Sequence, residues 1–210
     1  MDLDAAEVRV LGCLIEKQRT TPDVYPLSLN ALRAACNQST NREPVVNYDE
    51  ATIRDALHRL GRRRWTRFAS GARAAKYRHL LDETPGLSVP EQSLLAVLML
   101  RGAQTPGELR QRVERLYPFR DHDELEATLA GLSDRGFIVR HPRRPGQKEE
   151  RYAHRLSEDV EDAAAPPVAA PAQPAAPPAV NSDHERLERL ERQVAELAAE
   201  VTALRAELGA

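Results

Sequence analysis

Apolar residues recur at helical spacing just ahead of a basic segment in the first half of the chain. Ile53, Leu57 and Leu60 fall on one face of a predicted helix. Two short strand-like runs follow on either side of Ser70-Gly71, and the second ends at Lys76-Tyr77-Arg78. This pattern predicts a helix followed by a β-hairpin.

The same pattern returns about 72 to 75 residues later, which indicates an internal repeat. The apolar positions of the first copy, with their counterparts in the second, are Ile53 and Leu125, Leu57 and Leu129, Leu60 and Leu132, and Trp65 and Phe137. Upstream, Thr21-Pro22 matches Thr105-Pro106, and both Ser28 and Thr105 are expected to cap a short second helix. Each copy is therefore predicted to contain three helices and a hairpin, which is the winged variant of the helix-turn-helix.

The predicted fold class is mainly α with small β wings. Two tandem winged-helix domains are expected at residues 1–82 and 86–158, followed by a disordered Ala/Pro-rich linker at 159–182 and a C-terminal coiled-coil helix at 183–210. Residues 163–180 are almost wholly Ala, Pro and Val, a composition that favours extended chain. Each domain is small, so packing of the two copies on each other is an expected source of stability.

The last segment carries a heptad repeat, which predicts a parallel two-stranded coiled coil and a dimer. The predicted pairs Arg186 with Glu191 and Glu200 with Arg205 suit that arrangement. A single amphipathic helix docked on its own body is the alternative. The predicted dimerisation residues are Leu187, Leu190, Val194, Leu197, Val201, Leu204 and Leu208.

Composition adds limits on location and chemistry. The hydrophobic content is 41% and the aromatic content 4%, so aliphatic side chains are expected to fill the cores. The longest apolar run, residues 94–100, is too short to cross a bilayer, and no apolar signal opens the chain, so a soluble cytoplasmic protein is expected. Cys13 and Cys36 are predicted to be buried free thiols. No cofactor or metal ion is predicted.

Positive charge is concentrated locally, although the whole chain has a formal net charge of -2. From Arg54 to Arg78 there are eight Arg and one Lys against a single acid, Asp55. Cations gathered on one helix end and the adjoining hairpin favour contact with phosphates, whereas a solvated surface without a partner is the alternative. The predicted DNA-binding residues are Arg54, His58, Arg59, Arg62, Arg63, Arg64, Arg67, Arg73, Lys76, Arg78, Arg143 and Arg144.

The two copies differ in charge on the third helix. In the second copy the charged residues of this helix are acids, which oppose phosphates, and the helix is expected to pack on the first copy or on a protein partner. Only the second wing is basic, through Arg140, Arg143, Arg144, Lys148 and Arg151. Asp49, Glu50 and Asp55 weaken the case for DNA contact even in the first copy. The acids of the second copy are Asp121, Asp123, Glu124, Glu126 and Asp134.

Several blocks of sequence closely resemble the bacterial YceH family. They are LGCLIEKQ at residues 11–18, TTPD at 20–23, YPLS at 25–28, ACNQ at 35–38, NREPV at 41–45 and LRGAQTPGELR at 100–110. The resemblance covers roughly residues 3–158 and implies a tandem winged-helix fold. It implies no established biochemical activity, and DNA binding there is an inference from fold.

The segment before the third helix of the first copy is rich in amides and prolines. Asn37, Gln38, Asn41, Arg42 and Glu43 are expected either to cap helix ends and bind their own backbone or to contact DNA beside the groove, with capping favoured.

Two classes of function remain open. The favoured one is a double-stranded DNA-binding protein of the transcriptional-regulator or nucleoid-associated type, dimerised by its coil. The alternative is a non-catalytic protein-protein adaptor in a chromosome-organising or transcription complex. An enzyme is not expected, because the acids that cluster with a histidine at residues 121–124 suit a helix start.

Overall fold

The computed structural model describes residues 2–69, 75–83, 85–143 and 149–157. The described residues all belong to one compact unit, Met1–Ala163. The predicted linker at 159–182 and the predicted coil at 183–210 lie outside the described residues. Within the described ranges, no helix is long and apolar enough to cross a membrane.

The described fold is mainly helical with small antiparallel sheets, a winged-helix-like arrangement in which three helices and a hairpin occur twice in order. We call α1 to α3 with β1 to β3 the first set, and α4 to α6 with β4 and β5 the second set. The helices are α1 Ala5–Thr20, α2 Leu29–Cys36, α3 Glu50–Arg62, α4 Val89–Arg101, α5 Pro106–Val113 and α6 His122–Asp134. The strands are β1 Leu27–Ser28, β2 Thr66–Ala69, β3 Lys76–His79, β4 Ile138–His141 and β5 Arg151–His154, and a 3-10 turn covers Pro22–Val24.

Short polar side chains start the helices. The Ser28 hydroxyl accepts a hydrogen bond from the Ala31 amide at 3.3 Å, and the Thr105 hydroxyl accepts from the Glu108 amide at 3.2 Å. Such caps satisfy amides that have no partner inside the helix. Both residues predicted to cap a short second helix therefore do so.

The sheets correct one detail of the predicted repeat. In the first set the strand order is β1-β3-β2, with Leu27 opposite Tyr77. In the second set Gln104 bridges Tyr152 in the same way, one residue before the Thr105 cap. Thr105-Pro106 thus corresponds to the start of α2 at Ser28, and the predicted match to Thr21-Pro22 is wrong because that pair opens the 3-10 turn.

The two sets share one hydrophobic core. α1 packs on α4 so closely that a Cβ on Gly12 would lie 3.0 Å from Leu100 Cγ and 3.2 Å from Met99 Cβ. Backbone hydrogen bonds join the sets at the edges, from the Leu3 amide to the Leu156 carbonyl and from the Glu43 amide to the Leu100 carbonyl, both at 2.8 Å. The principal contact with the first set is thus made by α4, and α6 packs on α4. The expectation was that α6 packs on the first copy or on a protein partner.

Candidate nucleic-acid interface

The C-terminal end of α3 places a cation at an unusual backbone position. The Trp65 amide bonds the Leu60 carbonyl and the Arg64 amide bonds the Gly61 carbonyl, both at 3.0 Å, which together form a Schellman motif. That motif needs a left-handed residue, and Arg64 supplies it with φ of 59°. In the second set, Gly136 holds the same place with φ of 73°.

Arg64 is exposed, as are its neighbours His58 and Arg62 on α3. None of the three has an ion pair with another residue of the described ranges. A Cβ at a left-handed position costs roughly 1 kcal/mol relative to glycine. The chain therefore holds a solvent-facing guanidinium at a position where glycine is the more stable choice.

Two other predicted cations, Arg59 on α3 and Arg63 directly after it, turn towards α1. The Arg59 guanidinium pairs with the Asp4 carboxylate at 2.5 Å and lies 3.6 Å from buried Glu7. The Arg63 guanidinium donates to the Asp2 carbonyl at 2.8 Å. These contacts fasten the end of α3 to the start of α1.

Arg54 lies on the exposed side of α3, where it forms an ion pair within the same helix. Its guanidinium pairs with Glu50 at 2.5 Å, four residues earlier. The pKa of Arg54 is raised chiefly by that hydrogen bond to Glu50.

The wing has two faces of different chemistry. Arg67 lies opposite Arg78 in the register of β2 and β3, and both guanidinium groups approach the Glu83 carboxylate, at 3.8 and 2.7 Å. The other face carries Phe68 opposite Tyr77. Lys76 is half-buried. The predicted residue Arg73 lies outside the described residues.

Most described cations of the second wing are engaged by other residues. Arg140 pairs with Glu150, and Arg151 donates to the Ala103 carbonyl at 2.9 Å and to Glu108 at 3.2 Å. Arg143 is exposed. Arg144 and Lys148 are outside the described residues.

The acids at the start of α6 are structural. The Asp121 carboxylate accepts from the Glu124 amide at 2.8 Å, and the Glu124 carboxylate accepts from the Arg120 amide at 2.9 Å and the Tyr117 hydroxyl at 2.8 Å. The hydrogen bonds that the Glu124 carboxylate accepts, chiefly the one from the Arg120 amide, lower the pKa of Glu124. The cluster at 121–124 thus caps a helix and anchors the preceding loop.

The loop between α2 and α3 is held by internal hydrogen bonds. Arg42 is 4% exposed, and its guanidinium donates to Glu16 at 2.6 Å, to Gln38 at 2.9 Å and to the Ala35 carbonyl at 3.1 Å. The Asn37 amide group bonds both the amide and the carbonyl of Tyr48 at 2.8 Å. These side chains serve the loop itself, as the favoured interpretation of the sequence expected.

Sequence reasoning missed a polar groove beside this loop. The groove has a volume of about 540 Å³ and lies between the outer face of α2 and the start of α3. The polar positions of α2 recur at helical spacing, and that signal was available in the sequence. The lining residues are Asn30, Arg33, Ala34, Asn37, Asn47, Tyr48 and Asp49.

Buried titratable groups lie away from this surface. Cys13 and Cys36 are buried free thiols, and the pKa of Cys36 is raised by its hydrogen bond with Cys13 and by burial. Burial lowers the pKa of His79 and of His154 to about 4. In the described ranges, no three His, Cys, Asp or Glu residues gather in a way that could hold a metal ion.

The fold and this surface describe a winged-helix-like, mainly helical protein with an exposed cationic helix end. The chain belongs to the family described as "Protein of unknown function, DUF480", whose model matches residues 3–147.

Relatives named UPF0502 protein are similar over most of their length. The one from Solibacter usitatus is 50% identical over 171 residues, which cover 81% of this chain and 82% of that protein. The one from Pelobacter propionicus is 51% identical over 167 residues, covering 78% and 76%. The relative from Geotalea uraniireducens is 45% identical over 211 residues, covering 98% and 91%.

Proposed function

We propose that the protein binds double-stranded DNA, as a transcriptional regulator or nucleoid-associated protein built from two tandem winged-helix domains. In this proposal α3 and the wing of the first set contact the duplex, and Arg143 adds a phosphate contact from the second set. The predicted coil at 183–210 makes the dimer. The same proposal includes a cytoplasmic location and a specific likeness to the YceH family.

The left-handed conformation of Arg64 carries this proposal. A residue kept in an unfavourable backbone region points to a function for its side chain. The Arg64 guanidinium is exposed beside Arg62 at the end of α3, where phosphates of a duplex would meet it. The second set, whose third helix is acidic, has glycine at this position.

The other predicted cations differ in the groups that they contact in the structure. Arg59 and Arg63 hold α3 against α1 and act by positioning it. Arg54, Arg67 and Arg78 must exchange Glu50 or Glu83 for a phosphate, and such exposed pairs are weak enough to be exchanged. The strongest direct contribution is therefore expected from Arg62 and Arg64.

Fluorescence anisotropy of the full chain with a labelled duplex tests the proposal. We expect binding at about 50 mM salt and a steep loss by about 200 mM, because bound Arg and Lys release counterions. Arg64→Gly should weaken binding several-fold while raising the free energy of unfolding by about 1 kcal/mol. Arg110→Ala, which removes an exposed cation from α5, is the charge-matched control and should leave both quantities nearly unchanged.

Absence of binding at low salt would refute DNA binding and favour the adaptor. If Arg64→Gly instead binds like Arg110→Ala, the DNA contact lies elsewhere on the chain.

The adaptor is favoured by one observation, the surface of α6. Asp123 and Asp134 are exposed there, and Glu126 is partly exposed. An acidic helix repels phosphates and suits a cationic surface of a protein partner. A non-catalytic adaptor in a chromosome-organising or transcription complex would bind its partner through this helix.

A further inference from the structure

One feature of the wing takes no part in the phosphate contacts proposed above. Phe68 is 55% exposed, and its ring meets Tyr77 edge-on with centroids 6.0 Å apart and planes at 76°. The two residues are direct partners across β2 and β3. We define this pair as the aromatic platform.

The strand register fixes the direction in which the platform faces. Alternate residues of a strand share a face, so Phe68 lies on the side of Thr66 and Tyr77 on the side of His79. Thr66 and His79 are buried, and the Thr66 hydroxyl donates to the Leu57 carbonyl of α3 at 3.4 Å. The platform therefore continues the core-facing side of the wing beyond the core, next to α3.

Cations lie near the platform on α3 and β3. Arg54 is exposed on α3, the helix that packs against β2, and its guanidinium pairs with Glu50. His58 lies one helical turn after Arg54, whereas Lys76 precedes Tyr77 on β3 and lies on the opposite face of the wing. Exposed aromatic rings set among cations are the usual means of holding unpaired bases, because the rings stack on base faces while the cations follow the phosphates.

A regular duplex leaves the platform without a partner. Base faces are covered in a stacked duplex, and the grooves present only base edges. The first turn of α3 also carries Asp49 and Glu50, which disfavour the dense phosphates of two strands. An unpaired strand has exposed base faces and a lower density of phosphates.

We propose that the aromatic platform stacks on an unpaired base, so that the protein binds DNA carrying a single-stranded tail more tightly than it binds blunt duplex. This inference rests on the proposed DNA binding and names the form of DNA that the surface recognises. Phe68 supplies the stacking face and Tyr77 orients it. Arg54 contacts the phosphates of the same strand.

The test compares two labelled DNAs with the full chain. One is a blunt duplex of about 20 base pairs, and the other is the same duplex with a tail of about ten thymidines. We expect the tailed DNA to bind more tightly. Phe68→Ala and Phe68→Leu should each weaken binding of the tailed DNA roughly tenfold and leave the blunt duplex unchanged, because both lose the ring.

Phe68→Trp is the matched control, since it keeps an aromatic face and should retain the preference. The side chain is largely exposed, so these variants should unfold at the same urea concentration as the parent. A 2-aminopurine placed in the tail should be quenched on binding the parent and not on binding Phe68→Leu.

The outcomes separate the two proposals. Equal affinity of the parent for both DNAs overturns the inference and leaves DNA binding in place. An equal loss of affinity for both DNAs in Phe68→Ala does the same, because it fits a ring wedged into a duplex step. Failure to bind either DNA at about 50 mM salt removes DNA binding as a whole.

Discussion

Two buried histidines close the wing strands at equivalent positions. His79 ends β3 and His154 ends β5, and their Nδ1 atoms accept from the amides of Leu81 and Leu156 at 3.3 and 3.4 Å. The Nε2 of His79 also lies 2.6 Å from the Gln18 side-chain oxygen. Because Nδ1 accepts, the proton of the neutral His79 ring is on Nε2, which donates to Gln18.

These histidines predict a loss of stability in mild acid. Burial lowers both pKa values to about 4, whereas an unfolded histidine titrates near 6.5. Between these values the unfolded chain binds protons that the folded chain does not, so stability is complete above about pH 6.5 and falls as the pH decreases towards 4. We expect about 1 kcal/mol lost per histidine between about pH 7 and pH 5.5 in urea unfolding.

The paired variants His79→Asn and His154→Asn keep an acceptor for the backbone amide and remove the titrating ring. The double variant should show a shallower dependence of stability on pH than the parent. Identical slopes for the parent and the double variant would show that other groups control the acid response.

At the scale of elements, the apolar spacing predicted the third helix of each set well. Ile53, Leu57 and Leu60 are all buried, as are Leu125, Leu129 and Leu132. A helical stripe is a local property, so a single sequence contains enough information to locate it. The mistaken match of Thr21-Pro22 arose because a cap before a helix and a turn use the same residues.

The candidate interface was harder to predict because its charges depend on distant partners. The sequence shows Arg59, Arg67 and Arg78 as cations, but not that Asp4 and Glu83 engage them. The importance of Arg64 was also hidden, because its left-handed conformation arises only when α3 ends and the chain turns into β2. Phe68 was overlooked since a lone strand aromatic usually lies in a core.

The packing of α1 on α4 predicts unequal tolerance at two helical glycines. Gly12→Val should lower the free energy of unfolding by about 2 kcal/mol or more, because its side chain meets Leu100 and Met99 at 3.0 to 3.2 Å. A Cβ on Gly131 of α6 would meet nothing within 4 Å, so Gly131→Val should change stability by less than about 0.5 kcal/mol. Urea unfolding of the two variants measures the difference. Equal effects would mean that helix propensity, rather than close packing, controls both sites.

At the scale of the whole molecule, assembly is predicted to depend on the segment after residue 183. Leu197→Asp places a charge at a central d position of the predicted coil and should cost several kcal/mol of dimer stability. Sedimentation equilibrium of the full chain should give a dimer for the parent and a monomer for the variant. Glu196→Gln, next to this position, is a control that should remain dimeric. If parent and Leu197→Asp have the same mass, the coil is not the assembly element.

The fastening of α3 to the start of the chain has a practical consequence for handling the protein. Because the Asp2 carbonyl accepts from Arg63 and Asp4 pairs with Arg59, any peptide fused ahead of Asp2 emerges at the rim of the cationic helix end. An acidic leader there would act as a tethered competitor at a high effective concentration and hide nucleic-acid binding. A purification tag is therefore better cleaved, or chosen without acidic residues, before any titration.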